Sequence, residues 1–247
     1  MMIYNVRLEK VLFLDVETVA AQASYDDLDE DFQALWNIKA ESIIKRGKLE
    51  TKPEELYDQM AGIFAEFGKI VCISVGYFSE LRDGQREFRL KSFYGDDEAI
   101  LLAEFAELIS NYFNNPDRHF FCGHNIKEFD IPYIGRRMLV NQIPLPNMVN
   151  IPGKKPWEVK YLLDTMELWK FGDYKAYTSL NLLAKLFGVP TPKDDIDGSM
   201  VNGLYWQGDQ LERIAEYCEK DVVATASLFL GMRAQEPLKP DEVIKGG

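Results

Sequence analysis

The chain has 247 residues, 47% of them hydrophobic and 28% charged, proportions of an ordinary folded protein with enough length to bury one substantial core. Its 28 lysines and arginines against 40 aspartates and glutamates give a net charge of −12, which excludes indiscriminate adhesion to phosphate backbones. A polyanionic substrate would have to be gripped locally, with metal ions supplying positive charge.

The first ten residues, MMIYNVRLEK, lack the apolar core of a signal peptide. The apolar run from Val11 to Leu14 then reads as a strand buried on both faces, and it leads straight into Asp15, Val16, Glu17 and Thr18. Alternation along a strand puts Asp15 and Glu17 on one face. Two like charges held side by side repel and lose hydration, which a shared proton or a cation relieves. The plainer alternative is a solvated strand end with a helix cap.

A long helical insertion, residues 20–67, opens with the acidic run Asp26 to Asp31, a solvated loop. Phe32, Leu35, Trp36 and Ile43 predict one helical face, ending at Lys45, Arg46 and Lys48. Thr51 and Glu54 form a capping box, with Pro53 in the first turn, for a helix carrying Leu56, Tyr57, Met60, Phe64 and Phe67 up to Gly68. Strands are expected at 69–78 and 86–94, joined by a turn containing Asp83 and Gly84 into an antiparallel meander. A helix from Asp97 to Tyr112 should bury Ile100, Leu101, Phe105 and Leu108. His119 to Cys122 is a short fourth strand running into Gly123–Asp130, GHNIKEFD, and a helix to about Asn141. A Pro-containing loop with Lys154, Lys155 and Trp157 precedes a fifth strand at Tyr161 to Leu163, followed by Asp164 and Thr165. Helices at Ser179 to Phe187 and Gln210 to Met232 close one domain, 1–235, and residues 236–247 form a loosely ordered tail. Strands that meander and then alternate with helices describe a mixed α/β sheet sandwiched by helices. The longest mostly apolar run, Val222 to Met232, is too short to cross a bilayer, so a cytoplasmic protein without membrane contact is expected. Cys72, Cys122 and Cys218 are far apart and suggest neither a disulfide framework nor a zinc knuckle.

Two more acidic motifs follow Asp15 and Glu17. Asp130 sits in the first turns of a helix opened by a glycine and Asn125, a place that would also suit the helix dipole. Tyr217 and Asp221, four apart, share one face of the last long helix. Taken in order, Asp15-x-Glu17, Asn125-x3-Phe129-Asp130 and Tyr217-x3-Asp221 resemble the three motifs of the DEDD superfamily of 3′–5′ exonucleases, in its tyrosine-bearing (DEDDy) branch. The chain is similar to a stand-alone version of the proofreading domain of family B DNA polymerases, from Glu9 to about Met232. Only His119 and His124 exist, both far from the last motif, which excludes the histidine branch.

The resemblance implies a ribonuclease H-like fold, a mixed five-stranded sheet flanked by helices, with the helical insertion after the first strand. It also implies a hydrolase that releases nucleoside monophosphates from single-stranded or frayed 3′ ends, DNA being favoured. Attack on a phosphodiester builds charge on two oxygens at once, which two divalent ions stabilise. Hard carboxylate ligands suit Mg²⁺ or Mn²⁺. By resemblance Asp15 bridges the two ions, Glu17 and Asp221 hold the one nearer the attacking water, and Asp130 serves the other. Tyr217, with an ordinary pKa of about 10, would orient that water rather than act as a base.

Asn125 and Phe129 match positions that border the terminal nucleotide, and Thr18 is a candidate contact for the 3′ end. His124 reads as a packing or helix-entry residue and Asp164 as a helix cap rather than a fifth ligand. Lys154, Lys155 and Trp157, Arg136 and Arg137, and Lys45 to Lys48 are candidate grips. The segment Lys193 to Gly198, KDDIDG, imitates a calcium loop without its ligand pattern and reads as a surface turn, with Ser199 a weak substrate candidate. Alternatives are a 3′–5′ exoribonuclease, a catalytically silent nucleic-acid-binding relative, and a ribonuclease H-like endonuclease. Polymerase motifs are absent, so a proofreading role would need a separate polymerase as partner.

Overall fold

The structure, a computed structural model, describes residues 3–79, 86–173, 177–190 and 196–246. Strand β1 (Val11–Ala20) is followed by helices α1 (Glu30–Gly47) and α2 (Pro53–Met60), then β2 (Gly68–Phe78), β3 (Phe88–Tyr94) and α3 (Glu98–Tyr112). Next come β4 (Phe120–Gly123), α4 (Asp130–Val140), β5 (Leu162–Asp164), α5 (Thr165–Lys170) and α6 (Leu180–Leu186). The chain ends with α7 (Val201–Trp206), α8 (Leu211–Met232) and β6 (Val243–Lys245). The expected turn at Asp83 and Gly84 and the start of the Lys193 to Gly198 segment lie outside the described residues.

The strands form one mixed sheet in the order β5-β4-β1-β2-β3-β6. β1, β2 and β3 make the antiparallel meander, while β4 and β5 add to β1 in parallel. The five expected strands are thus present, flanked by helices and with the helical insertion after β1, as a ribonuclease H-like fold requires. A sixth strand comes from the tail, where β6 pairs in parallel with β3. Arg86 donates to both carboxylate oxygens of Glu242 at 3.0 and 2.9 Å and to the carbonyls of Glu236 and Pro237, and Leu238 is buried.

Alternation sorts β1 onto two cores. Leu12, Leu14 and Val16 face α3 and α4, where Leu101, Leu102, Phe105 and Ile109 of α3 and Ile131, Tyr133, Ile134 and Met138 of α4 complete the larger core. Val11 and Phe13 face α8, packing with Val222, Ala226, Phe229 and Leu230. Ile100 of α3 is exposed rather than buried, because Leu102 and Ile109 set the stripe.

The insertion is a helical hairpin with its own small core. Trp36 packs edge-on against Tyr57 and Phe67 at 5.2 and 5.1 Å, and its indole N–H donates to the carbonyl of Pro53 at 2.8 Å. Trp36 and Ala40 are the buried positions of α1, leaving Phe32 and Leu35 exposed. α2 ends at Met60, short of Phe64 and Phe67, and Thr51 bonds Glu55 rather than forming a capping box with Glu54.

Candidate metal centre

The register of β1 on β2 sets Asp15 opposite Ser74 and Glu17 opposite Cys72. Between Glu17 and Thr18 the register shifts, leaving Val71 as an extra residue on β2, a bulge that bends a ladder and re-aims side chains. Glu17 is buried and Asp15 partly so. One ligand atom each of Asp15, Glu17 and Cys218 lie within 4.8 Å of one another. The thiol of Cys218 reaches both the carbonyl and a carboxylate oxygen of Asp15.

Asp130 and Asp221 join this group through their charges. Burial raises the Asp15 carboxyl well above the carboxylate range, and the charges of Glu17, Asp221 and Asp130 add to the rise. Glu17 is raised for the same reasons, burial first and then Asp221. Asp130 stands at the first position of α4, almost fully buried. Desolvation lifts it to about 7, against hydrogen bonds from its own backbone N–H and from that of Val16. Tyr217 and Asp221 lie one turn apart on α8, which lays this face across β1 and β2. The Tyr217 hydroxyl bonds to Asp221, and burial with the surrounding carboxylates pushes its pKa well up. Tyr217 is thus a phenol at neutral pH.

This arrangement fits a hard divalent cation. Asp15 and Glu17 of β1 feel the charges of Asp130 on α4 and Asp221 on α8, and burial together with neighbouring carboxylates raises the pKa values of Asp15, Glu17 and Asp130. Oxygen donors of this kind suit Mg²⁺ or Mn²⁺. Cys218 was not expected in the site, and its only sequence signal is its place next to Tyr217. Burial holds its thiol well above the ordinary range, so it donates to Asp15 rather than offering a thiolate.

Around the carboxylates, Asn125 has a left-handed φ of 67° and a side-chain oxygen with no hydrogen-bond partner among the described residues. Phe129 is half-buried against the larger core, with Tyr133 at 5.4 Å. The Thr18 hydroxyl bonds toward that of Tyr133. Asp164 accepts from the N–H groups of Met166 and Glu167, capping α5, and from those of Asn125 and Lys127, which pins the turn before α4. His124 donates from Nε2 to the Thr178 carbonyl at 2.9 Å, with Nδ1 2.9 Å from the Thr165 hydroxyl oxygen, a structural role.

Some candidate grips are occupied elsewhere. Arg137 is held by Glu98 at 2.6 Å and by the Ala65 carbonyl, so its guanidinium is already engaged, whereas Arg136 is exposed. Lys155 lies over the exposed ring of Trp157 at 5.0 Å, and Lys154 over Tyr161. Lys45, Arg46 and Lys48 are exposed at the end of α1. Ser199 is bonded to Asp197, which caps a short turn before α7. Among the described residues no helix is long and apolar enough to cross a membrane.

Residues 63–243 match the family described as "Predicted 3'-5' exonuclease related to the exonuclease domain of PolB". The matched span holds Asn125, Phe129, Asp130, Tyr217 and Asp221, and begins after Asp15 and Glu17. The fold is similar to that in the structure of the family B DNA polymerase from the hyperthermophilic archaeon Pyrobaculum calidifontis, with a TM-score of 0.53 and 16% sequence identity. That similarity covers 91% of this chain but only 24% of the polymerase. No curated protein sequence matches the chain.

Proposed function

Because the chain belongs to the family of predicted 3′–5′ exonucleases related to the exonuclease domain of PolB, we propose that it is a metal-dependent 3′–5′ exonuclease. It releases nucleoside monophosphates from single-stranded or frayed 3′ ends, DNA preferred to RNA. The observation that carries this reading is the mutual electrostatic crowding of Asp15, Glu17, Asp130 and Asp221 beside the hydroxyl of Tyr217.

Asp15, Glu17, Asp130 and Asp221 would hold two Mg²⁺ or Mn²⁺ ions. Such ions, when bound, stabilise charge on the attacking and leaving oxygens of a phosphodiester. Tyr217 keeps its proton, so its part is to orient the attacking water by hydrogen bonding, not to remove a proton. The unpartnered oxygen of Asn125 and the ring of Phe129 border the terminal nucleotide, with Thr18 near the 3′ hydroxyl. The short reach of these contacts suits an acidic protein that grips only a few nucleotides.

The test is digestion of 5′-labelled single-stranded DNA, duplex DNA and RNA of one sequence with Mg²⁺ or Mn²⁺. A ladder shortening from the 3′ end is expected, fastest on single-stranded DNA. Faster digestion of RNA would move the assignment to an exoribonuclease, an internal cut to an endonuclease, and no cleavage to a silent binding protein.

A further inference from the structure

Among the described residues, one cavity stands away from the carboxylates. It is an open pocket of about 990 Å³ at the end of the sheet where β1 and β4 begin, β2 finishes and β3 starts. Lys10, on its wall, precedes Asp15 by five residues, about 16 Å along an extended strand. The volume lies at the top of the range of about 300–1,000 Å³ for small-molecule sites.

The pocket exists because α3 is too short to cover the sheet. Leu101, Leu102, Phe105 and Ile109 cover the sheet face opposite the side chains of Asp15 and Glu17, and the helix stops at Tyr112. Beyond that point Tyr77, Arg89 and Lys91 line open space on the same face. The floor is a run of rings, Tyr77 to Phe113 at 5.9 Å and Phe113 to His119 at 5.4 Å, and Tyr112 is exposed at the rim.

Its charge is opposite to that of the molecule. Among the described residues, five basic side chains line it against three acidic ones, in a chain with 28 basic and 40 acidic residues. Arg7 pairs with Glu9, Arg89 with Glu87 and Arg86 with Glu242. Among the described residues, Lys10 and Lys91 are the lining lysines without an ion pair, and Lys91 also lies over the Phe93 ring. His119 accepts the Asn115 N–H at Nδ1, which places its own proton on Nε2 as a further donor. Burial lowers its pKa, and the charges of Lys10 and Arg118 add to the fall.

We propose that this pocket is a second, non-catalytic binding site for a nucleotide, with the base against Tyr112 and Phe113 and the phosphate toward Lys10 and Lys91. The C-terminal end of α3 carries partial negative charge, which keeps the phosphate away from that side. Stacking on aromatic rings combined with cationic contact to phosphate is the general means of holding a nucleotide without base readout. The nucleotide is either free or part of a strand, and the two sources present the same chemistry.

The experiment is calorimetric titration of the full chain in EDTA, so that the carboxylates recruit no phosphate through metal, with AMP, adenosine, inorganic phosphate and a twelve-residue oligodeoxyadenylate. AMP or the oligonucleotide should bind at least about tenfold more tightly than adenosine or phosphate. Lys91→Glu and Tyr112→Ala, both at exposed positions, should each weaken that binding about tenfold with circular dichroism and melting temperature unchanged. Stronger binding of the oligonucleotide identifies a strand as the ligand, and equal or stronger binding of AMP identifies the free nucleotide. Absence of binding by both, or binding that neither variant weakens, would overturn the proposal. Because the readout needs no cleavage, its failure is separate from failure of the nuclease assignment.

Discussion

The Sγ of Cys218 stands 3.4 Å from a carboxylate oxygen of Asp15 and 3.4 Å from its backbone carbonyl, tying α8 to β1 at the centre of the site. Since the thiol stays protonated, its contribution is a hydrogen bond. Cys218→Ser keeps a donor there and should leave Mn²⁺ affinity, read from the metal-induced rise in melting temperature, within about threefold of wild type. A loss of Mn²⁺ binding in the serine variant would show that sulfur coordinates the metal.

Asp15→Asn and Asp221→Ala should each reduce Mn²⁺-dependent digestion of a 3′-end substrate by at least about 100-fold with the fold intact. In the metal-free state Asp15→Asn should melt a few degrees higher than wild type, because it removes one of the repelling charges. Activity retained in a clean preparation of either variant contradicts the assignment.

Tyr217→Phe removes the hydroxyl but none of the carboxylates. Its digestion rate should fall on the order of 10- to 100-fold while its Mn²⁺-induced melting shift matches wild type. A shift as small as that of Asp221→Ala would place Tyr217 among the metal-holding groups instead.

Removing metal should make stability depend on pH. A carboxyl whose folded pKa exceeds its unfolded value stabilises the fold below the unfolded value and loses that contribution as pH rises to the folded one. For Asp130 the window runs from its ordinary 3.8 to about 7, with Asp15 and Glu17 shifted in the same direction. Melting temperature in EDTA should therefore fall between pH 5 and pH 8, and saturating Mn²⁺ should flatten the fall. A flat profile in EDTA would show that the carboxylates do not repel as described.

Arg137 tests a structural role against a substrate contact. Its guanidinium is held by the nearly buried Glu98, which also accepts from the Ile70 N–H and the Asn141 amide. Arg137→Ala leaves that charge without its cation and should cost about 3 kcal/mol or more in denaturant unfolding. Weaker oligonucleotide affinity at unchanged stability would reverse the conclusion.

The antiparallel meander, the helical insertion, the shared strand face of Asp15 and Glu17 and the one-turn spacing of Tyr217 and Asp221 were legible because alternation and i,i+4 spacing act locally. Asp164 was legible too, since a cap is defined by the residues beside it. Cys218 was not, because its importance arises only when α8 crosses β1. Arg137 looked free because its partner Glu98 lies 39 residues away. The depth of Trp36 relative to Phe32 and Leu35 depends on which face α2 covers, and the short strand β6 has only three residues to signal itself.

β6 also has a bearing on how copies of the chain meet. By pairing with Phe88, Arg89 and Leu90 it occupies that part of a sheet edge that would otherwise present unpaired amides and carbonyls, on a strand with Phe88 and Leu90 buried on one side and Phe93 on the other. Open edges of this kind recruit strands from other molecules. Three tail residues, fastened by Arg86 to Glu242 and by Lys245 to Glu219, thus cover part of that edge and leave the short β6 as the outer strand.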